Sequence, residues 1–72
     1  MQNKPVLGID EYGNKFWRLN DQLHREDGPA IEYSNGDKYW CLNDKHYTFE
    51  EWLQQTPLPE KEKVKLRLQY AE

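Results

Sequence analysis

One nine-residue motif occurs twice in this chain, and that repeat limits the available folds more than any other feature. Gly13-Asn14-Lys15-Phe16-Trp17-Arg18-Leu19-Asn20-Asp21 returns at an offset of 23 positions as Gly36-Asp37-Lys38-Tyr39-Trp40-Cys41-Leu42-Asn43-Asp44. The matched positions read Gly, Asn or Asp, Lys, aromatic, Trp, any residue, Leu, Asn, Asp. A period of this size marks a supersecondary unit that stacks on its neighbour to bury a shared face.

The unit reads as β-structure. Short apolar stretches, Val6-Leu7-Gly8-Ile9 and Ala30-Ile31-Glu32-Tyr33, precede the two Trp strands and are joined to them by the Gly-bearing turns Tyr12-Gly13-Asn14 and Asn35-Gly36-Asp37. Asn-Gly between such runs is a strong hairpin signal. Alternation puts Trp17 and Leu19 on one face with Phe16 and Arg18 on the other, and in the second copy sets Trp40 and Leu42 against Tyr39 and Cys41. Trp17 and Trp40 are therefore expected to be equivalent buried anchors. Asn20-Asp21 and Asn43-Asp44 tolerate left-handed backbone, so each Trp strand is expected to turn tightly again.

Beyond the second copy the pattern changes. Thr48-Phe49-Glu50-Glu51 has the form of a capping box, Tyr47 is placed to staple against Trp52, and Phe49, Trp52 and Leu53 form one helical stripe. Thr56-Pro57 should end that helix. In the segment 59–70, Pro59 and Glu60-Lys61-Glu62-Lys63 favour a helical turn, whereas Val64, Leu66, Leu68 and Tyr70 alternate with polar residues. The alternation predicts a strand over 64–70, with a single continuous helix as the alternative.

Seventy-two residues make one domain with a small core. We read it as α+β, mainly β: an antiparallel β-meander of two hairpin repeats, at about 6–28 and 29–47, capped by a short helix at about 49–55, all within a single domain 1–72. Three Trp, five Tyr and two Phe supply the burial, each aromatic removing roughly 150–250 Å² from water. The single cysteine, Cys41, leaves no intrachain disulfide and fits a reducing cytoplasm. As a neighbour of Trp40 on a strand it reads as a small apolar residue. A net charge of −3 with interspersed signs gives no nucleic-acid or anionic-membrane signature. The polar start Met1-Gln2-Asn3-Lys4-Pro5 has no signal-peptide core, and no apolar run approaches a membrane span.

The stretch Leu23-His24-Arg25-Glu26-Asp27-Gly28-Pro29-Ala30, following Trp17-Arg18-Leu19-Asn20-Asp21, resembles a bacterial and bacteriophage repeat family related to MORN repeats. The likeness covers roughly residues 9–47. It implies a small β-meander and a phage context. Two departures stand out: Asp21 and Asp44 occupy positions where the family prefers glycine, and the second copy runs through Lys45-His46-Tyr47-Thr48 into a helix, like a terminal cap.

Three sets of side chains are candidates for function. His24 and Arg25 could act as a general base, oriented by Glu26 or Asp27, and an anion holder. The competing structural reading pairs Arg25 with Asp27, packs His24 on a Trp and uses Asp27-Gly28-Pro29 as a turn, with Gly28 able to take positive φ. His24, His46 and Cys41 lack recognisable zinc spacing, so no metal or other cofactor is expected. Phe16, Arg18 and Tyr39, with Tyr12 and Tyr33 near the turns, could form an aromatic row with an arginine, the composition of binding hot spots. Alternatively the helix or the 64–70 segment covers that face as a second core layer. No catalytic motif accompanies these residues. The expectation is a non-catalytic module that binds another protein, of the host cell if the chain is phage-borne, with host defence proteins among the targets an inhibitor could block. A small-ligand or nucleotide binder or enzyme using His24 and Arg25, and a self-associating subunit pairing through an edge strand, are the alternatives.

Overall fold

A computed structural model describes residues 4–70; the polar start at 1–3 and the last two residues lie outside it. The described chain is a small α+β domain, mainly β, with six antiparallel strands and two helices. The strands are β1 (Val6–Ile9), β2 (Lys15–Leu19), β3 (Gln22–Leu23), β4 (Ile31–Glu32), β5 (Lys38–Leu42) and β6 (Lys45–Tyr47), followed by α1 (Phe49–Gln55) and α2 (Glu60–Tyr70). The sheet order is β1-β2-β4-β5-β6, with β3 also on β2.

The repeat is visible in the turns. In β1–β2 the Asp10 N–H donates to the Asn14 carbonyl and Gly13 N–H to the Asp10 carbonyl; in β4–β5 Tyr33 and Gly36 make the equivalent bonds to Asp37 and Tyr33. Gly13 and Gly36 have φ of 84° and 98°, a region where a side chain is strained. In the first turn the Asp10 carboxylate accepts from the Tyr12 and Asn14 amides and from the Asn14 side chain. The Asn14 side-chain bond is the main cause that holds the Asp10 carboxyl below its ordinary value. That contribution is present above the ordinary value and is lost as pH falls through the lowered one.

Both Asn-Asp pairs take left-handed backbone: φ is 52° and 64° at Asn20 and Asp21, and 52° and 68° at Asn43 and Asp44. Two successive positive φ values define the hairpin turn whose twist matches the flanking strands. Asp44 does more than turn the chain. Its carboxylate accepts the Leu23 N–H at 2.7 Å while its own N–H donates to the Leu23 carbonyl, docking the second repeat on the first.

Between β2 and β5 runs one strand broken in the middle. The Trp17 carbonyl accepts the His24 N–H and the Trp17 N–H donates to the Ala30 carbonyl, so His24 and Ala30 both face Trp17 and residues 25–29 are extruded. On the other side Arg25 and Ala30 donate to the Cys41 and Tyr39 carbonyls. The extruded carbonyls are matched by α1: Trp52 Nε1–H donates to Arg25 at 3.0 Å and the Thr56 hydroxyl to Glu26 at 2.6 Å. Buried backbone acceptors need such partners.

Helix α1 begins as the capping box requires, with Thr48 Oγ1 accepting from the Glu51 amide and the Glu51 carboxylate accepting from the Thr48 amide. It stops at Thr56, whose backbone is extended ahead of Pro57. Thr48→Ala should cost about 1 kcal/mol. A Glu51 amide that exchanges freely in the wild-type protein would contradict the cap.

The expected strand at 64–70 is corrected: Glu60–Tyr70 is one continuous helix, so two helices cap the sheet instead of one. The alternation did not mark burial, because Val64 is 47% and Leu68 83% exposed. Leu66 is buried in the core and Tyr70 meets Trp40 edge-on at 5.2 Å. These two anchors are four apart, the helical interval. With only two positions needing burial, the propensity of Glu, Lys, Leu, Arg and Gln decides the conformation.

The core lies under the helices: Trp40, Leu42, Trp52, Leu53 and Leu66, flanked by Tyr47, Phe49, Leu58 and Tyr70. The Trp40 and Trp52 rings sit 4.7 Å apart. The expected equivalence of the two repeat tryptophans is also corrected. Trp40 is buried, but Trp17 is only half-buried and Leu19 with it, because the helices cover the second repeat and Trp17 is shielded by Arg25.

Candidate protein-interaction face

The side chains of β2, β4, β5 and β6 that point away from the helices form a continuous aromatic row. Register fixes its membership: Phe16 pairs with Ile31, Ile31 with Tyr39, and Cys41 with His46, and residues directly opposite share a face. Tyr33, two beyond Ile31, joins them. The Phe16 and Tyr33 rings meet edge-on at 6.3 Å, Tyr33 and Tyr39 edge-on at 5.4 Å, and Tyr39 and His46 at 4.8 Å. Arg18 lies over the Phe16 ring at 5.2 Å. Edge-to-face geometry is the preferred arrangement of aromatic pairs.

Beneath the row Ile31 and Cys41 are buried. Burial pushes the Cys41 thiol up, with Asp44 adding to the effect, so this residue is a packing group. Beside the row a depression of about 200 Å³ is lined by Leu23, Ile31, Tyr33, Tyr39, Asp44 and His46, among others. Neither helix reaches this side: Trp40, against which Phe49, Trp52 and Tyr70 pack, points to the opposite face of β5. The alternative in which a helix or the 64–70 segment covers the row is thereby removed.

Of the residues expected on this surface, Phe16, Arg18, Tyr33 and Tyr39 come together. Tyr12 does not; it is 72% exposed at the tip of the β1–β2 turn. His46 was missed. The two-residue turn Asn43-Asp44 sets Leu42 opposite Lys45 and Cys41 opposite His46, so counting back through that turn would have placed it.

The extruded segment 25–29 sits on the helix side. Arg25 stacks on Trp17 with its guanidinium carbon 3.9 Å from the ring centre, and its Nε and Nη1 donate to Asp27, the Pro29 carbonyl and Glu32. The expected pairing with Asp27 is present through a single bond, and the residue stacked on a tryptophan is Arg25, not His24. His24 is buried. Its Nδ1 accepts the Asn43 N–H at 3.0 Å, so the ring proton is on Nε2, which donates to Glu26 at 3.0 Å. Both ring nitrogens and two of the three guanidinium nitrogens are thus engaged in holding the segment. Among the described residues no group of three or more His, Cys, Asp or Glu is placed to hold a metal ion. His24, His46 and Cys41 do not converge.

Gly28 corrects another expectation, since it does not take positive φ. What it supplies is room: a Cβ there would lie 2.7 Å from the Arg25 guanidinium carbon and 3.0 Å from Nε and Nη1. That guanidinium is held by four partners, Asp27, Pro29, Glu32 and the Trp17 ring, so giving way to a Cβ would loosen them. Gly28→Ala should therefore cost about 1–3 kcal/mol and enhance the exposure of Trp17 to a fluorescence quencher. An unchanged melting temperature would show that Arg25 repositions freely.

Comparison with protein-family models, curated proteins and solved structures finds no match to this chain. Among the described residues no helix is long and apolar enough to cross a membrane.

Proposed function

We propose that this chain is a non-catalytic protein-binding module whose contact surface is the helix-free aromatic face. One observation carries the reading: Phe16, Tyr33, Tyr39 and His46 touch ring to ring across four strands, with Arg18 at one end, on a side that neither α1 nor α2 covers. Rings held by one another lose little freedom when a partner arrives, and Tyr and Arg dominate measured hot spots. The proposed partner is a protein of the host cell, met in the reducing cytoplasm, and the proposed effect is inhibition or modulation of that protein. The MORN-like, phage-type resemblance of residues 9–47 belongs to the same proposal.

The test begins with a photo-crosslinking residue at Tyr39, which identifies the partner by mass spectrometry. Against that partner, Tyr39→Ala and Arg18→Ala should each weaken binding by about 1–2 kcal/mol, Arg18→Ala with the thermal midpoint nearly unchanged and Tyr39→Ala with the lower midpoint that loss of its ring contacts to Tyr33 and His46 brings. Leu68→Ala, on the exposed side of α2, should change neither. Equal affinity for all three variants would exclude this face as the contact surface.

A further inference from the structure

The proposed function uses one face of the sheet; its free edge carries a separate inference. Among the described residues β1 pairs only with β2, and Val6, Leu7 and Ile9 on it are 51%, 45% and 60% exposed. An uncharged strand at a sheet edge is a template for another strand unless it is blunted. The opposite edge, β6, has three residues, one of them Lys45, and leads directly into α1.

The direction of the free backbone groups follows from the ladder. Asp10 N–H bonds to Asn14, and in an antiparallel pair bonded and non-bonded positions alternate. Gly8 and Val6 therefore face β2. Leu7 lies opposite Trp17, whose N–H and C=O are both committed to the other side, so Leu7 and Ile9 direct their N–H and C=O groups outward. Pro5 offers only its carbonyl.

We infer that β1 pairs antiparallel with β1 of a second copy of this chain, with Leu7 on the two-fold axis. The sequence around β1 is complementary to itself in this register. Lys4 of each copy falls opposite Asp10 of the other, Pro5 opposite Ile9, Val6 opposite Gly8, and Leu7 opposite Leu7. Each Leu7 N–H donates to the other Leu7 carbonyl and each Ile9 N–H to the other Pro5 carbonyl, while the Ile9 carbonyls stay with water. Leu7, Ile9 and Pro5 of the two copies meet on the helix side. Shifting the register to put Gly8 on the axis keeps as many backbone bonds but loses both Lys4–Asp10 pairs, which use the acceptor capacity left on Asp10 Oδ2 beside its bond from Asn14, and charges placed across an interface fix its register. A two-fold axis perpendicular to the sheet leaves both aromatic rows on the same side, so the dimer offers two copies of that surface to one partner. The pairing itself does not depend on that function.

Sedimentation equilibrium of the full chain should show a monomer–dimer equilibrium, weakened by at least about tenfold in Ile9→Lys and in Lys4→Glu, each change worth 1.4 kcal/mol or more. A register-specific reading comes from Leu7→Cys. Directly opposed, hydrogen-bonded residues have Cα atoms about 5.5 Å apart, within disulfide reach, so oxidation should give a covalent dimer joined through position 7, located by mass spectrometry. Ile9→Cys should not crosslink, because its copies stand four residues apart along the strands. A chain that stays monomeric at millimolar concentration with no crosslink at position 7 overturns the inference, as does a dimer crosslinked through position 9 or one indifferent to Ile9→Lys. Because Tyr39→Ala and Arg18→Ala leave β1 untouched, loss of partner binding in those variants with the dimer intact separates the two proposals.

Discussion

Trp52→Ala is expected to remove about 3–5 kcal/mol of stability, a large part of the roughly 4–11 kcal/mol available to a domain of this length. Trp52 is 0% exposed, packs on Trp40 and Phe49, and its indole N–H is the donor for the Arg25 carbonyl. Alanine opens a cavity at the sheet–helix boundary and strands a buried acceptor as well. Trp52→Phe weights the second effect, leaving a much smaller void than alanine but removing the donor in full, and should cost about 1–3 kcal/mol. Chemical denaturation followed by the remaining tryptophans measures both. A Trp52→Ala protein as stable as the wild type would place α1 off the sheet.

The second large effect is an asymmetry between residues that the repeat makes look alike. Trp40→Ala should cost about 3–5 kcal/mol, since its ring contacts Phe49, Trp52 and Tyr70. Trp17→Ala should cost only about 1–2 kcal/mol, the worth of a half-buried ring and one cation–π contact. Urea midpoints of the two variants compare them directly. Equal losses would mean that the helices cover both repeats.

Local chemistry made much of this fold readable. Gly13, Gly36 and the two Asn-Asp pairs specify their turns from within a few residues, and Thr48 and Glu51 specify the start of α1 in the same way. The binary pattern of the Trp strands then sorts Phe16, Arg18 and Tyr39 onto one face. What could not be read depends on distant partners. The segment 25–29 is shaped by Trp52 and Thr56, 27 and 30 positions away from the carbonyls they bind, and Gly28 is explained only by where Arg25 comes to rest. In α2 a period-two pattern concealed a helix because Val64 and Leu68 never needed burial. Trp17 and Trp40 share a motif, but only the position of the helices shows that one ring is in the core and the other under an arginine. Which side of the sheet stays bare was likewise decided by α2, whose conformation the alternation misstated.

The broken strand between β2 and β5 also implies an expected order of folding events. The β1–β2 and β4–β5 hairpins on either side of it join near neighbours, and hairpins close within about 1–10 μs. The extruded carbonyls of Arg25 and Glu26 have no partner until α1 docks from the far end of the chain, and closing such long loops is what slows folding. Both β-hairpins can therefore form early, with the 25–29 segment waiting on the helix. Mutations at Trp52 and Thr56 should then change mainly the rate of unfolding, whereas changes at Gly13 or Gly36 should change the rate of folding.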